Sequence, residues 1–260
     1  MKSLRRLLIT VLLLSFTLSA NVSEARVTVD ASSLMAGADN ERERQGDQIL
    51  AKYMAASGRG MARGFSSVAR FVGRLPRMKK SASLAAKRHI DAGGAVEYTD
   101  VLVRSGDSTV QKDVIARFMN GEVESTMPDL SKDKDRKAVA ITPLNYKFKY
   151  KGLQEIAGRQ VHVYEVNPRK KRVGLFKGEI WIDSDTGLTV REAGRFVKSP
   201  SIFLKKVEFE RQYAIVDGVS VPKSLSSQIQ TRFWGIAELE IEYTDVTWDP
   251  ELHFAGSSAF

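Results

Sequence analysis

The chain has no cysteine, which excludes disulfides, thiolate chemistry and Cys-based metal sites in one step. Histidine is nearly as scarce. His89, His162 and His253 are the only ones, they stand far apart, and none falls in an H-E-x-x-H or similar ligand spacing, so no metal centre is expected. A nucleophile elbow is also missing, because Gly64-Phe65-Ser66-Ser67-Val68 lacks the second glycine of G-x-S-x-G. Gly58, Gly60 and Gly64 lack the preceding strand and the G-x-G-x-x-G spacing of a phosphate loop. Carboxylates do recur at a spacing of two, Glu208 with Glu210 and Glu238 with Glu240 and Glu242. A solvated strand face explains them more simply than acid/base or metal chemistry. These absences point away from an enzyme and imply no cofactor.

Long apolar runs are missing too, except at the start. Lys2, Arg5 and Arg6 precede a mostly apolar stretch over residues 7–20, and Ser23-Glu24-Ala25 offers small residues for cleavage. The apolar stretch is shorter than the roughly 20 residues a spanning helix needs. Residues 1–25 therefore read as a signal peptide cleaved after Ala25, with Ala20 as an earlier alternative. The remainder, residues 26–260, is expected as one domain that is exported, soluble and periplasmic, with a monomer favoured.

Negative charge is absent from residues 48–90, which carry Lys52, Arg59, Arg63, Arg70, Arg74, Arg77, Lys79, Lys80, Lys87 and Arg88. The formal net charge of +9 is concentrated there. Ile49, Leu50, Tyr53 and Met54 form an apolar stripe that predicts a helix over residues 47–57, with Gly58 as its stop. Phe65, Val68, Ala69 and Val72 at i, i+3, i+4 and i+7 predict a second helix over 61–73. Residues 41–92 are thus expected to be helical and basic. Arg59, Arg63, Arg70, Arg74, Arg77, Lys79 and Lys80 are the candidates for touching an anionic membrane surface or an acidic partner. A helix packed on its own domain with a solvated basic face is the competing reading. Nucleic acid is not expected, because export argues against it and no aromatic residues interleave with the basic ones.

From Ala95 the apolar spacing changes to two and stays there to Trp248, which predicts a β-meander over 95–248. Tyr146, Phe148 and Tyr150 alternate with Lys147, Lys149 and Lys151, and Leu239, Ile241 and Tyr243 alternate with glutamates. Val207, Phe209, Arg211 and Tyr213 share a face opposite Glu208, Glu210 and Gln212. The clearest hairpin lies at 174–197, where Asp183-Ser184-Asp185-Thr186-Gly187 turns between two alternating runs. Ile180, Ile182, Leu188 and Val190 are expected on one face and Trp181 on the other, lining a mouth or packed under a helix. About nine or ten antiparallel strands cannot stay flat, so they must close or curl. The expected fold is α+β: a large antiparallel half-barrel with N-terminal helices covering its concave face.

The helix Ile49-Leu50-Ala51-Lys52-Tyr53-Met54, the run Gly178-Glu179-Ile180-Trp181-Ile182-Asp183 with Thr186-Gly187 and Val190-Arg191, and the later Tyr213, Asp217-Gly218 and Val221-Pro222 occur in an order that resembles exported lipoprotein-sorting and lipid-carrier proteins of the LolA/LolB type. Residues 61–92 fit that resemblance poorly. It implies a half-barrel enclosing an apolar cavity for lipid or lipoprotein acyl chains, with no catalytic residue. The wall candidates are Tyr146, Phe148, Tyr150, Ile180, Ile182, Val190, Phe209, Leu239, Ile241 and Tyr243, although a packed core would use the same residues. A periplasmic regulatory module of the envelope-stress type is the alternative.

Overall fold

The computed structural model describes residues 31–57, 63–126, 139–199 and 203–250, with side chains from residue 40 onward. The expected signal peptide, Arg59 and His253 lie outside the described residues. Contacts divide the chain into two compact units, Met1–Asp39 and Asn40–Phe260. Of the first, only the helical backbone of 31–39 is described.

The second unit is a ten-stranded antiparallel sheet that remains open and curls into a half-barrel. After helix α1 (Ala31–Ser57) come β1 (Phe65–Leu75), β2 (Lys80–Ile90) and β3 (Val96–Gly106). A helical interruption follows, with α2 (Ser108–Val110) running through a π-helical turn (Gln111–Ala116) into α3 (Arg117–Thr126). The chain then forms β4 (Tyr146–Ile156), β5 (Arg159–Pro168), β6 (Phe176–Asp183), β7 (Thr189–Phe196), β8 (Leu204–Val216), β9 (Val219–Thr231) and β10 (Ile236–Trp248). The order across the sheet is β3-β2-β1-β10-β9-β8-β7-β6-β5-β4, so the early hairpin joins the meander through β1 and β10.

Two expectations are corrected. Residues 65–75 and 80–90, expected to be helical, form strands, with Phe65, Ser67, Ala69, Phe71, Gly73 and Leu75 buried at every second position of the first. The sequence FSSVARFVGR satisfies both periods, and pairing with β10 and β2 selects the strand. The meander is also broken: the segment from Val110 to Met119 is helical. Asp107 caps it, accepting from the amides of Thr109 at 2.8 Å and Val110 at 3.3 Å. Val110, Val114, Ile115 and Met119 bury one side of the resulting helix. It sits so close to β1 that a Cβ on Gly73 would lie 2.8 Å from Val110 Cγ1.

The largest core cluster lies on the concave side. Phe71, Leu75 and Leu84 join Leu239, Ile241, Phe209, Leu225, Phe176, Ile180, Ile182, Tyr164 and Tyr146. The sheet supplies the floor, and the helices supply Tyr53, Val110, Val114, Ile115 and Met119. A smaller cluster on the convex side holds Val161, Val163 and Trp181.

Candidate functional site

Helix α1 is fastened over the β4–β7 part of the floor. Tyr53 donates its hydroxyl to the Ile141 carbonyl at 3.0 Å, Lys52 Nζ reaches the Ser184 carbonyl at 2.8 Å, and Arg42 Nη2 reaches the Lys151 carbonyl at 2.5 Å. The Tyr164 hydroxyl bonds the Gly46 carbonyl. Gly46 is buried, and a Cβ there would meet the Tyr150 ring at 3.0 Å, so the helix approaches the sheet closely at this point. Burial pushes the Tyr53 phenol up to about 12, as expected of a hydroxyl held under a helix.

The α2–α3 segment covers the β1–β3 part. Its anchor is an ion pair: Arg88 donates from Nη2 and Nε to Glu122 at 2.7 and 3.3 Å, and Tyr98 also bonds Glu122. Arg88 is only 4% exposed. The middle strands carry the half-buried concave residues Arg211, Tyr213, Ile229 and Tyr243.

Of the ten wall candidates, nine lie on the concave side. Tyr146, Ile180, Ile182, Phe209, Leu239 and Ile241 are buried, while Phe148, Tyr150 and Tyr243 are half-buried against them. Val190 is the exception. Trp181 pairs with Arg191 and Ile182 with Thr189, so Val190 is the extra residue of a bulge and packs with Trp181 on the convex side. Trp181 lies there under the Arg191 guanidinium, 4.5 Å from its ring centroid.

The basic candidates do not form one face. Arg63 lies over the Trp248 ring at 5.3 Å. Arg70 bonds Thr244 at 2.7 Å, Arg74 pairs with Glu240 at 2.8 Å, and Lys80 pairs with Asp107 at 3.0 Å. The β10 glutamates thus partly neutralise β1 across the outer face. Arg77 and Lys79 stand exposed at the turn between β1 and β2.

The turn at 183–187 is structural. Asp183 is fully buried and accepts from Thr186 N at 2.8 Å, Thr186 Oγ1 at 2.6 Å and Arg159 Nη1 at 2.9 Å. Burial alone would raise its carboxyl, and the Thr186 and Arg159 bonds more than offset that, leaving it below the ordinary carboxylate value. His162 is buried on the concave side, its Nδ1 2.8 Å from the Tyr150 hydroxyl. Burial and then Lys52 hold its pKa below the ordinary imidazole value.

Both shifts favour the native state as pH rises. Below about pH 6.5 the unfolded imidazole takes a proton that native His162 refuses, and below about pH 3.9 the unfolded form of Asp183 does the same. Urea midpoints are therefore expected to fall in two stages on acidification. His162→Gln should flatten the first stage and leave the second.

Among the described residues there is no group of three or more His, Cys, Asp or Glu able to hold a metal, and no helix is long and apolar enough to cross a membrane. A family described as being of unknown function (DUF5686) matches residues 141–249. No curated protein matches the chain. Among solved structures, it is similar to a DUF1329 family protein from Desulfovibrio piger, at 12% identity and a TM-score of 0.44, covering 79% of this chain and 94% of that one. It is also similar to a putative outer membrane lipoprotein-sorting protein domain from Vibrio parahaemolyticus, at 12% identity and 0.40, covering 79% and 94%. A LolA superfamily protein from Nitrosomonas europaea gives 12% identity and 0.36, covering 78% and 93%.

Proposed function

We propose that this chain is an exported, non-enzymatic periplasmic carrier that holds acyl chains of lipids or lipoproteins against the concave face of its half-barrel. The observation that supports this reading is a continuous aromatic and aliphatic floor under two separate helical roofs. Ile49, Leu50, Tyr53 and Met54 of α1 lie against that floor. They stand where an acyl chain would lie. Loading therefore displaces a roof, and α1 is the candidate, since hydrogen bonds to carbonyls hold it whereas a buried ion pair anchors α3. Each CH₂ transferred from water contributes about 0.8 kcal/mol to binding.

The test is mass spectrometry of a solvent extract of natively purified protein, with binding of a fluorescent acyl probe alongside. Near-stoichiometric lipid and saturable probe binding are expected. Protein that carries no lipid and ignores the probe would count against the carrier reading.

A second reading, a regulatory interaction module, is favoured by edge strand β3, where Val101, Leu102 and Val103 are 49%, 61% and 59% exposed. Beside it on the convex side lies a groove of about 630 Å³ lined in part by Val68, Ala85, Leu102 and Trp248. An extended segment of a partner protein could add to that edge. Leu102→Lys should then abolish recovery of a partner in a pull-down and leave acyl-probe binding intact.

A further inference from the structure

We propose that the half-open middle of the concave face, over β7, β8 and β10, seats the polar head of the bound amphiphile and recognises an uncharged acceptor there: the ester or amide carbonyl at the top of an acyl chain. This rests on the carrier reading and specifies which part of a lipid the protein reads.

The apolar floor is interrupted here by charge. Glu192 and Arg211 stand opposite each other in the β7–β8 register. Glu192 is 7% exposed, and Arg211 Nη1 lies 3.4 Å from its Oε2, a long bond for an ion pair. The Arg211 side chain keeps 40% exposure, with its guanidinium 4.8 Å from the Phe209 ring centroid. It is thus walled by protein yet reachable from solvent. Tyr213 faces the same pair: burial and then Glu192 raise its phenol.

A second pair lies on the same concave face. Arg88 and Glu122 meet at 2.7 Å, and Arg88 lies 5.2 Å from the Tyr243 ring centroid. The Tyr243 phenol is raised by burial and then by Glu122, and the positive charges of Arg88 and Arg211 act on it in the opposite sense. Arg88 Nη1 and the hydroxyl of Ser67, its register neighbour on β1, are buried and have no hydrogen-bond partner among the described residues.

Four buried or half-buried charges are costly on an apolar floor, and packed hydrophobic side chains would be the cheaper way to fill it. The Arg211 guanidinium, partly open to solvent, shows what the cluster offers. Its formal charges, Arg88 and Arg211 against Glu122 and Glu192, sum to zero, so an incoming anion would meet two carboxylates as well as two guanidiniums. A neutral carbonyl takes a guanidinium or phenol donor and adds no charge to be balanced. Every acyl lipid carries such a carbonyl where its chain meets its head, beside the apolar floor that Phe209, Phe176 and Phe196 continue.

The experiment is displacement of the uncharged probe N-phenyl-1-naphthylamine from the full mature chain by methyl palmitate, palmitamide, palmitate and hexadecane. The ester and the amide are expected to bind about tenfold more tightly than the alkane, the worth of one charge-assisted hydrogen bond. Arg211→Met should bring that ratio close to one and hold alkane affinity within about twofold. If that variant does not fold, Tyr243→Phe keeps the ring beneath Arg88 and should cut the ratio about threefold. Equal binding of ester and alkane by the wild type, or palmitate binding more tightly than the ester, overturns the head site and leaves the carrier reading standing. No binding of the probe or of any of the four compounds overturns both.

Discussion

Glu122→Ala is expected to lower the stability of the protein by about 3–5 kcal/mol, the cost of leaving one partner of a buried ion pair without the other. Arg88 is 4% exposed and has two of its nitrogens on Glu122, and Tyr98 bonds the same carboxylate. Removing that carboxylate strands a guanidinium among Tyr98, Tyr243 and the core. The phenols give it only ring faces and oxygens already poorly solvated. Because Glu122 sits on α3 while Arg88 and Tyr98 sit on β2 and β3, the loss also detaches one end of the second roof. The check is urea unfolding of the single variants and of Arg88→Met/Glu122→Leu. The double variant should recover much of the loss, since two apolar side chains leave no charge behind. A double variant as unstable as the sum of the singles would show that the pair is not coupled.

Most of the sheet is legible from residues alone because its alternation is local. The Phe176–Asp183 and Thr189–Phe196 hairpin and the Leu239-Ile241 row emerge as read, since one buried face leaves a mark at every second position. Where two periods fit the same residues, local pattern fails. Phe65, Val68, Ala69 and Val72 satisfy a helix, and only the distant partner β10 makes them a strand. The reverse happened at Val110–Met119, where the Asp107 cap was the signal for a helix. Val190 changed sides because a bulge adds a single residue, which alternation cannot foresee.

The polar cluster is another matter. Arg88, Glu122, Glu192 and Arg211 come from β2, α3, β7 and β8, and no spacing in the chain joins them. One trace was visible: Arg211 occupies the apolar row of Val207, Phe209 and Tyr213, opposite Glu208, Glu210 and Gln212. A lone guanidinium in a buried row demands a buried partner, and Glu192 supplies it.

Gly178→Ala should cost about 3 kcal/mol, the upper end of what overpacking exacts, although it adds only a methyl group. Gly178 and Gly194 are register partners on β6 and β7. A Cβ on Gly178 would stand 2.0 Å from the Ala193 carbonyl oxygen and 2.6 Å from Gly194 Cα. Both are backbone atoms, so no side chain can swing away and the strand itself must shift. Gly121 provides the contrast. It lies in α3, where an added Cβ would meet nothing within 4 Å, so Gly121→Ala should stabilise by up to about 1 kcal/mol through helix propensity. Urea midpoints at unchanged m-value compare the two. The Gly178 effect reaches beyond stability, because Ala193 and Gly194 directly follow Glu192 on β7. A strand displaced at 193–194 also moves the Glu192 carboxylate relative to Arg211. In Gly178→Ala protein that still folds, the preference for ester over alkane should therefore fall, while in Gly121→Ala it should hold. Loss of stability with the preference intact would place the head-recognising group elsewhere than at Glu192 and Arg211.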